Sequence, residues 1–218
     1  YGCNGQDILD ENAPLNPLSL YARSKVKSEE LLMEELEGTE TVPFILRFST
    51  LFGFSRRPRF DLVVNTMTAH AWKYGWIKIN GGNQWRPLLH VSDASKAIET
   101  IISVDAREVA NRVFNVGSNK MNYRITELAE RIKAIMPAIE LKIIPEDEDK
   151  RNYRVDFTRI EKGLGFFPDV TLEMGVREII FSLDSGRYFD PEEVVYSNFK
   201  FLSSNPETIK WGVPIVSF

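Results

Sequence analysis

The sequence is poor in the residues from which redox and metal centres are built. In 218 residues there is one cysteine, Cys3, and there are two histidines, His70 and His90. A lone cysteine excludes an internal disulfide and fits a reducing compartment, so a cytoplasmic location is expected. Two well-separated histidines offer no metal-ligand spacing, and no metal is expected. No run of about 18 uncharged apolar residues occurs, and no signal-peptide pattern, so no membrane partner is expected. Charge of one sign is also missing: 27 basic against 31 acidic residues leave a net charge of -4, without the footprint of a nucleic-acid binder. What remains is ordinary globular composition, 43% hydrophobic and 27% charged, in a chain long enough for one large domain or a domain plus a lobe.

Along the chain, polar residues 1–16 with Gly2, Gly5 and Pro14 read as a loop. A helix is expected from about Pro17 to Glu37, capped by Asn16 or Ser19 and ended by Gly38. "TVPFILRFSTLFG" (Thr41 to Gly53) follows as a buried strand, apolar and rich in β-branched and aromatic residues. Helix followed by buried strand is the rhythm of a parallel α/β sheet. Beyond the basic stretch "FSRRPRF" come a helix over 61–76, a strand at Trp76–Ile79 and the turn "NGGNQ". Residues 86–102 read as strand, cap and helix, with Ser92 or Asp93 serving the first amides. A strand at 112–118, a helix at 124–136, a strand at 140–145 and a charged loop at 145–152 come next. The last expected elements are a short helix stopped by Gly165 and a helix over 172–185.

One short stretch carries chemistry. "LYARSK" (Leu20 to Lys25) puts Tyr21 and Lys25 four apart on a helix, on one face and one turn apart. An ammonium held there stabilises a tyrosinate and lowers the pKa of a phenol normally near ~10. Such a tyrosine can take a proton from an alcohol or return one to a carbonyl. Taken alone, the pair reads equally as an aromatic ring packed on a lysine stem.

Four stretches in order widen the context: "YG" with "NPLSLYARSKVKSEELL", then "ILRFSTLFG", "QWRPLLHVSDASKAI" and "VFNVGS". Together they resemble the extended short-chain dehydrogenase/reductases that act on nucleotide sugars, NAD-dependent epimerases and dehydratases. That resemblance implies the C-terminal part of a Rossmann-like parallel sheet with a smaller α/β substrate-binding lobe. Residues 1–53 would be a remnant of the dinucleotide-binding domain with its catalytic helix, and 54–85 a segment of the substrate lobe. Residues 86–118 would return to the sheet, and 119–218 would form the C-terminal lobe and tail. Tyr21 would be the general acid/base, Lys25 would bind the nicotinamide ribose of NAD (or NADP), and Phe48 and Ser49 would lie beside the nicotinamide. Thr50, Asn65, Lys78, Ile79, Asn80, Arg86 and Arg151 would contact the nucleotide sugar, Lys78 to Asn80 through their backbone and Arg86 at the diphosphate. Thr50 departs from the asparagine usual in the family. Plainer readings stand beside these: Thr50 and Asn65 bonding local backbone, Arg56, Arg57 and Arg59 forming a solvated basic loop, His90 packing its ring, and Asp93 capping a helix.

The family's Gly-x-x-Gly-x-x-Gly turn, where backbone amides meet the pyrophosphate, has no counterpart among these residues. Gly81-Gly82 and Gly163 to Gly165 read as turn and cap glycines. The chain therefore reads as a C-terminal piece of a longer enzyme, silent alone, with the N-terminal half of that enzyme and a second copy as expected partners. Residues that separate epimerases from dehydratases and ketoreductases would precede Tyr1. A 4-keto-sugar reductase, or a non-catalytic binding module that kept the substrate lobe, are the alternative readings.

Overall fold

The computed structural model describes residues 1, 3–144, 152–188 and 190–205. The first strand, β1 (Cys3–Leu9), falls where the sequence reads as loop, and it pairs in parallel with β9 (Asn152–Val155), Leu9 opposite Val155. Nothing local announces it: the segment is polar, and its hydrogen-bonding partner lies far along the chain. Helix α1 (Leu20–Glu35) starts at Ser19, whose hydroxyl accepts the Ala22 amide at 3.1 Å, and Gly38 takes the left-handed φ of 75° just past its end. Pro17 therefore sits outside the helix.

The apolar run 41–53 is two strands rather than one. Strand β2 (Ile45–Phe48) pairs in parallel with β6 (Val113–Val116), and β3 (Thr50–Phe52) pairs in parallel with β5 (Trp85–His90). Ser49 is the break between them. Strand β4 (Trp76–Asn80) runs parallel to β8 (Glu140–Ile144), and only the pair formed by β5 and β7 (Asn122–Arg124) is antiparallel among the described residues. The remaining helices are α2 (Val63–Tyr74), α3 (Val91–Ser103), α4 (Ile125–Ile135), α5 (Thr158–Leu164), α6 (Leu172–Asp184) and α7 (Asn198–Ser204). As expected from the sequence, α5 stops at Gly165, which has a left-handed φ of 61°. The result is α/β, with mostly parallel strands.

Two apolar cores form among the described residues. One gathers Phe52, Val64, Ile77, Ile79, Leu88, Leu128, Ile132 and Val176 between β4, α2, α4 and α6. The other gathers Leu89, Ala97, Phe114, Val116, Phe157, Ile160 and Phe166 around β6, α3 and α5. Neighbouring residues thus serve different cores: Leu88 and Leu89 alternate across the pleat of β5, as period-two side chains must. Residues 155–166 join the second core, beside β6, while 121–139 and 172–188 join the first. Helix α1 joins neither; no residue in it is buried.

Candidate active site

Tyr21 and Lys25 occupy the first two turns of α1, with the Lys25 ammonium 5.6 Å from the centre of the Tyr21 ring. Tyr21 is 72% exposed, and its hydroxyl bonds to none of the described residues. The helix is tied to the sheet by charge rather than by apolar packing. Glu29, two turns beyond Tyr21, receives Arg47 of β2 through Nε at 3.0 Å and Nη2 at 2.6 Å. Arg47 also donates to the Tyr1 hydroxyl at 3.1 Å, and that hydroxyl donates to Asn115 of β6 at 2.6 Å. Burial, the largest influence, pushes the Tyr1 phenol above its usual range. Glu11 completes the chain of contacts: its carboxylate accepts the Asn115 amide at 2.8 Å and pairs with Arg159 at 3.2 Å. None of Glu29, Glu11 or Asn115 stood out in the sequence. The available signal was Arg47 itself, a cation in the middle of "ILRFS", which demands a partner once buried.

Phe48, at the end of β2, is 38% exposed. Ser49 is buried, and both its amide and its hydroxyl donate to the Val116 carbonyl at 3.0 Å. Its hydroxyl proton is therefore spent on the sheet. Thr50 sits level with Leu88, so its side chain shares a face of the β3–β5 pair with Leu88 and Arg86. The Thr50 hydroxyl bonds to no described residue. Arg86 is 6% exposed and donates to its neighbour's carbonyl, Trp85 O, at 2.7 Å. Trp85 is layered with two further arginines, Arg154 at 4.6 Å and Arg124 at 5.2 Å from its ring, and the Nε of Arg154 is buried without a hydrogen-bond partner. Arg151 lies outside the described residues.

Asn65 is 2% exposed and spans the loop after β3: its carbonyl accepts the Gly53 amide at 3.0 Å and its amide donates to Arg59 O at 3.2 Å. Both ends of its side chain therefore serve backbone. Lys78 and Asn80 point to solvent on β4, while Ile79 is 1% exposed in the core, and this strand belongs to the separate β4–β8 pair. Two of the arginines in the basic stretch are engaged, Arg57 with Asn198 at 2.9 Å and Arg59 with Asp61 at 2.6 Å.

The "HVSD" segment differs from expectation in detail. His90 caps α3, its Nδ1 accepting the Ser92 amide at 3.3 Å. Asp93 does not cap that helix. Its buried carboxylate accepts the amides of Asp169 and Val170, both at 3.0 Å, and so pins the segment leading into α6. The reason is direction: the imidazole is already at the helix end, which leaves the carboxylate free to face α6.

Against known families, residues 1–117 match the model described as the NAD dependent epimerase/dehydratase family. This chain belongs to that family. A dTDP-glucose 4,6-dehydratase of Streptomyces griseus is 31% identical over 181 residues, covering 81% of this chain and 53% of its own length. A Methanocaldococcus jannaschii protein provisionally named a UDP-glucose 4-epimerase is 30% identical over 181 residues, 79% of this chain and 55% of its own. The chain spans about half the length of the curated relatives it matches. The UDP-glucose 4-epimerase of Thermotoga maritima, solved with UDP-glucose, shares the fold with a TM-score of 0.74 at 23% identity, over 86% of this chain and 61% of that one.

The family name implies NAD, and the residues here fit one end of it. Tyr21 and Lys25 present a hydroxyl and an ammonium that are hydrogen-bonded to no described residue, groups a ribose can accept from and donate to, and Phe48 offers an exposed ring. Ser49 fits less well, because its proton is already donated to Val116. Among the described residues no helix is long and apolar enough to cross a membrane.

Proposed function

We propose that this chain carries the acid/base helix and most of the substrate contacts of an NAD-dependent nucleotide-sugar epimerase or dehydratase. The observation that carries the reading is the Tyr21–Lys25 pair: two exposed groups on one helix face, one turn apart, the ammonium over the Tyr21 ring and neither polar group hydrogen-bonded to a described residue. Membership of the family and the names of its relatives support the substrate class. Bound NAD supplies a reversible hydride acceptor for the sugar C4 carbon. Tyr21 takes the proton from the hydroxyl on that carbon and returns it when the carbonyl is reduced again. Lys25 holds a positive charge beside the oxygen that becomes anionic, and binds the ribose. Thr50 and Arg86, on one face of the β3–β5 pair, meet the sugar and the diphosphate. Asn65 acts by holding the loop between Gly53 and Arg59. Arg151 and the backbone of Lys78 to Asn80 complete the nucleotide contacts. A homodimer and a cytoplasmic location belong to the same reading.

The test is turnover. The full-length protein, given NAD and a UDP-, dTDP- or GDP-sugar, should yield an epimerised or 4-keto-6-deoxy sugar detectable by chromatography. Full activity in Tyr21→Phe would remove the assignment of the base. Reduction of an added 4-keto sugar, without either of those products, would establish the reductase reading instead.

A further inference from the structure

His90 was expected to do no more than pack its ring. Its surroundings are more specific than that. The Ser92 amide can only donate, and it points at Nδ1 at 3.3 Å. Nδ1 therefore carries no proton, and the neutral ring holds its proton on Nε2. The Ser92 hydroxyl, 2.8 Å from Nδ1, donates to the same atom. Nε2 in turn lies 2.7 Å from Glu178 Oε2 on α6. That oxygen has a second donor, the backbone amide of Phe54, at 3.0 Å. One carboxylate oxygen thus joins the end of β5 to the turn that leaves β3.

Two glycines let these parts meet. Gly53, at φ 104°, would place a Cβ 2.0 Å from His90 Nε2, so the ring lies directly on its backbone. Gly175, one turn before Glu178, would place a Cβ 2.4 Å from Phe52 and 3.0 Å from His90 Cδ2. Phe52 meets the imidazole edge-on, with centroids 5.3 Å apart. No larger residue fits at either position without moving the ring.

Downstream of that turn the backbone is held repeatedly. Ser55 O receives the Tyr188 hydroxyl at 2.6 Å, and Arg59 O receives Asn65. Arg57 is held by Asn198 and lies over Phe201, and Arg59 is paired with Asp61. Arg56 is exposed, and its guanidinium bonds to none of the described residues. The segment is thus held on both sides of Arg56.

We propose that His90 and Glu178 are a positioning pair that fixes the Gly53–Phe54 turn, so that Arg56 is presented to an anionic group of the nucleotide sugar, a phosphoryl oxygen. The proposal rests on the functional reading above for its ligand, but not for its geometry. Amide hydrogen exchange on the chain itself tests the geometry. Glu178 has a 40% exposed side chain, so its variants should fold. Glu178→Ala should raise exchange across residues 53–59 by about tenfold or more while the first turn of α3 stays protected. Glu178→Gln keeps an acceptor oxygen and should restore protection. Unchanged exchange in Glu178→Ala, or loss spread evenly over α3, would overturn the pairing. Nitrogen-15 shifts of His90 should show a protonated Nε2 and a bare Nδ1; the other tautomer would overturn it as well. In the full-length enzyme, Glu178→Ala and Arg56→Gln should each raise KM for the nucleotide sugar by about tenfold with kcat little changed. A fall in kcat at constant KM would refute the role of Arg56. An enzyme that turns over no nucleotide sugar would refute the functional reading and with it the assigned ligand, and the exchange result would still decide the positioning pair.

Discussion

Helices α1 and α2 both carry expected site residues, yet they are held in opposite ways. In α2, Val64, Asn65, Met67, Thr68, Ala69 and Ala71 are buried, and the helix packs against β4, α4 and α6. In α1 nothing is buried: Leu20 is 70% exposed and Leu31, Leu32 and Met33 are open to solvent. Apolar area removed from water stabilises α2, at roughly 25 cal/mol per Å². Within these 218 residues, about half the length of the curated relatives, α1 is held by the Arg47–Glu29 ion pair and by its own backbone bonds. Sequence pattern alone makes the two look alike, because caps and stop residues say where a helix runs and not whether anything lies against it. The expected site residues are distributed the same way: Tyr21 and Lys25 stand on α1, while Asn65 of α2 braces backbone at both ends of its side chain.

Four experiments would break or sharpen that contrast. The largest effect is expected from Tyr21→Phe, which should lower kcat of the full-length enzyme by about 10²- to 10⁴-fold, while the melting temperature of the 218-residue chain stays unchanged, its Tyr21 ring being exposed. On the packed side, Ile77→Ala should cost about 2–5 kcal/mol in urea unfolding, Ile77 being fully buried, whereas Leu20→Ala in α1 should stay within about 0.5 kcal/mol. Equal costs for the two would erase the distinction. Glu29→Ala leaves Arg47, whose side chain is only 16% exposed, without its ion-pair partner and should cost about 1–3 kcal/mol with increased exchange confined to α1.

The smallest effect concerns alkaline pH. Burial pushes the Tyr188 phenol up to about 12 from the usual 10.0. The folded protein then binds that proton more tightly than the unfolded chain does. The contribution of Tyr188 is complete below pH about 10 and is lost as pH climbs through about 12. Tyr188→Phe should flatten the fall of stability over that window, measured by urea melts at several pH values. It should not abolish the fall, because burial, the largest influence on each, also raises Tyr1, Tyr123 and Tyr196.

Much of the fold could be read from local pattern. Strands at Trp76–Asn80, Val113–Val116 and Glu140–Ile144 are short apolar or alternating runs between turn residues, and Gly165 ends α5 as a left-handed cap. The strand at Cys3–Leu9 could not be read, because its only credential is a parallel partner at Asn152–Val155. In the site, the spacing of Tyr21 and Lys25 was legible because i, i+4 is a local relation. The pairing of His90 with Glu178 and of Arg47 with Glu29 was not, because each joins elements whose approach is set by packing. Asp93 shows the same limit. A carboxylate after a strand suggests a helix cap, and only the position of the chain near 169 and 170 shows where it is spent.

Ser49 separates two sheets by a single residue. Phe48 is hydrogen-bonded into the β2–β6 pair and Thr50 into the β3–β5 pair, so the residue expected beside the nicotinamide and the one expected beside the sugar ride on different platforms. Any rotation of one platform against the other must be taken up in the backbone torsions between them, since the amide and hydroxyl of Ser49 are both fastened to Val116. On the proposed function, one short link at Ser49 would set how far apart the hydride acceptor and the sugar carbon stand.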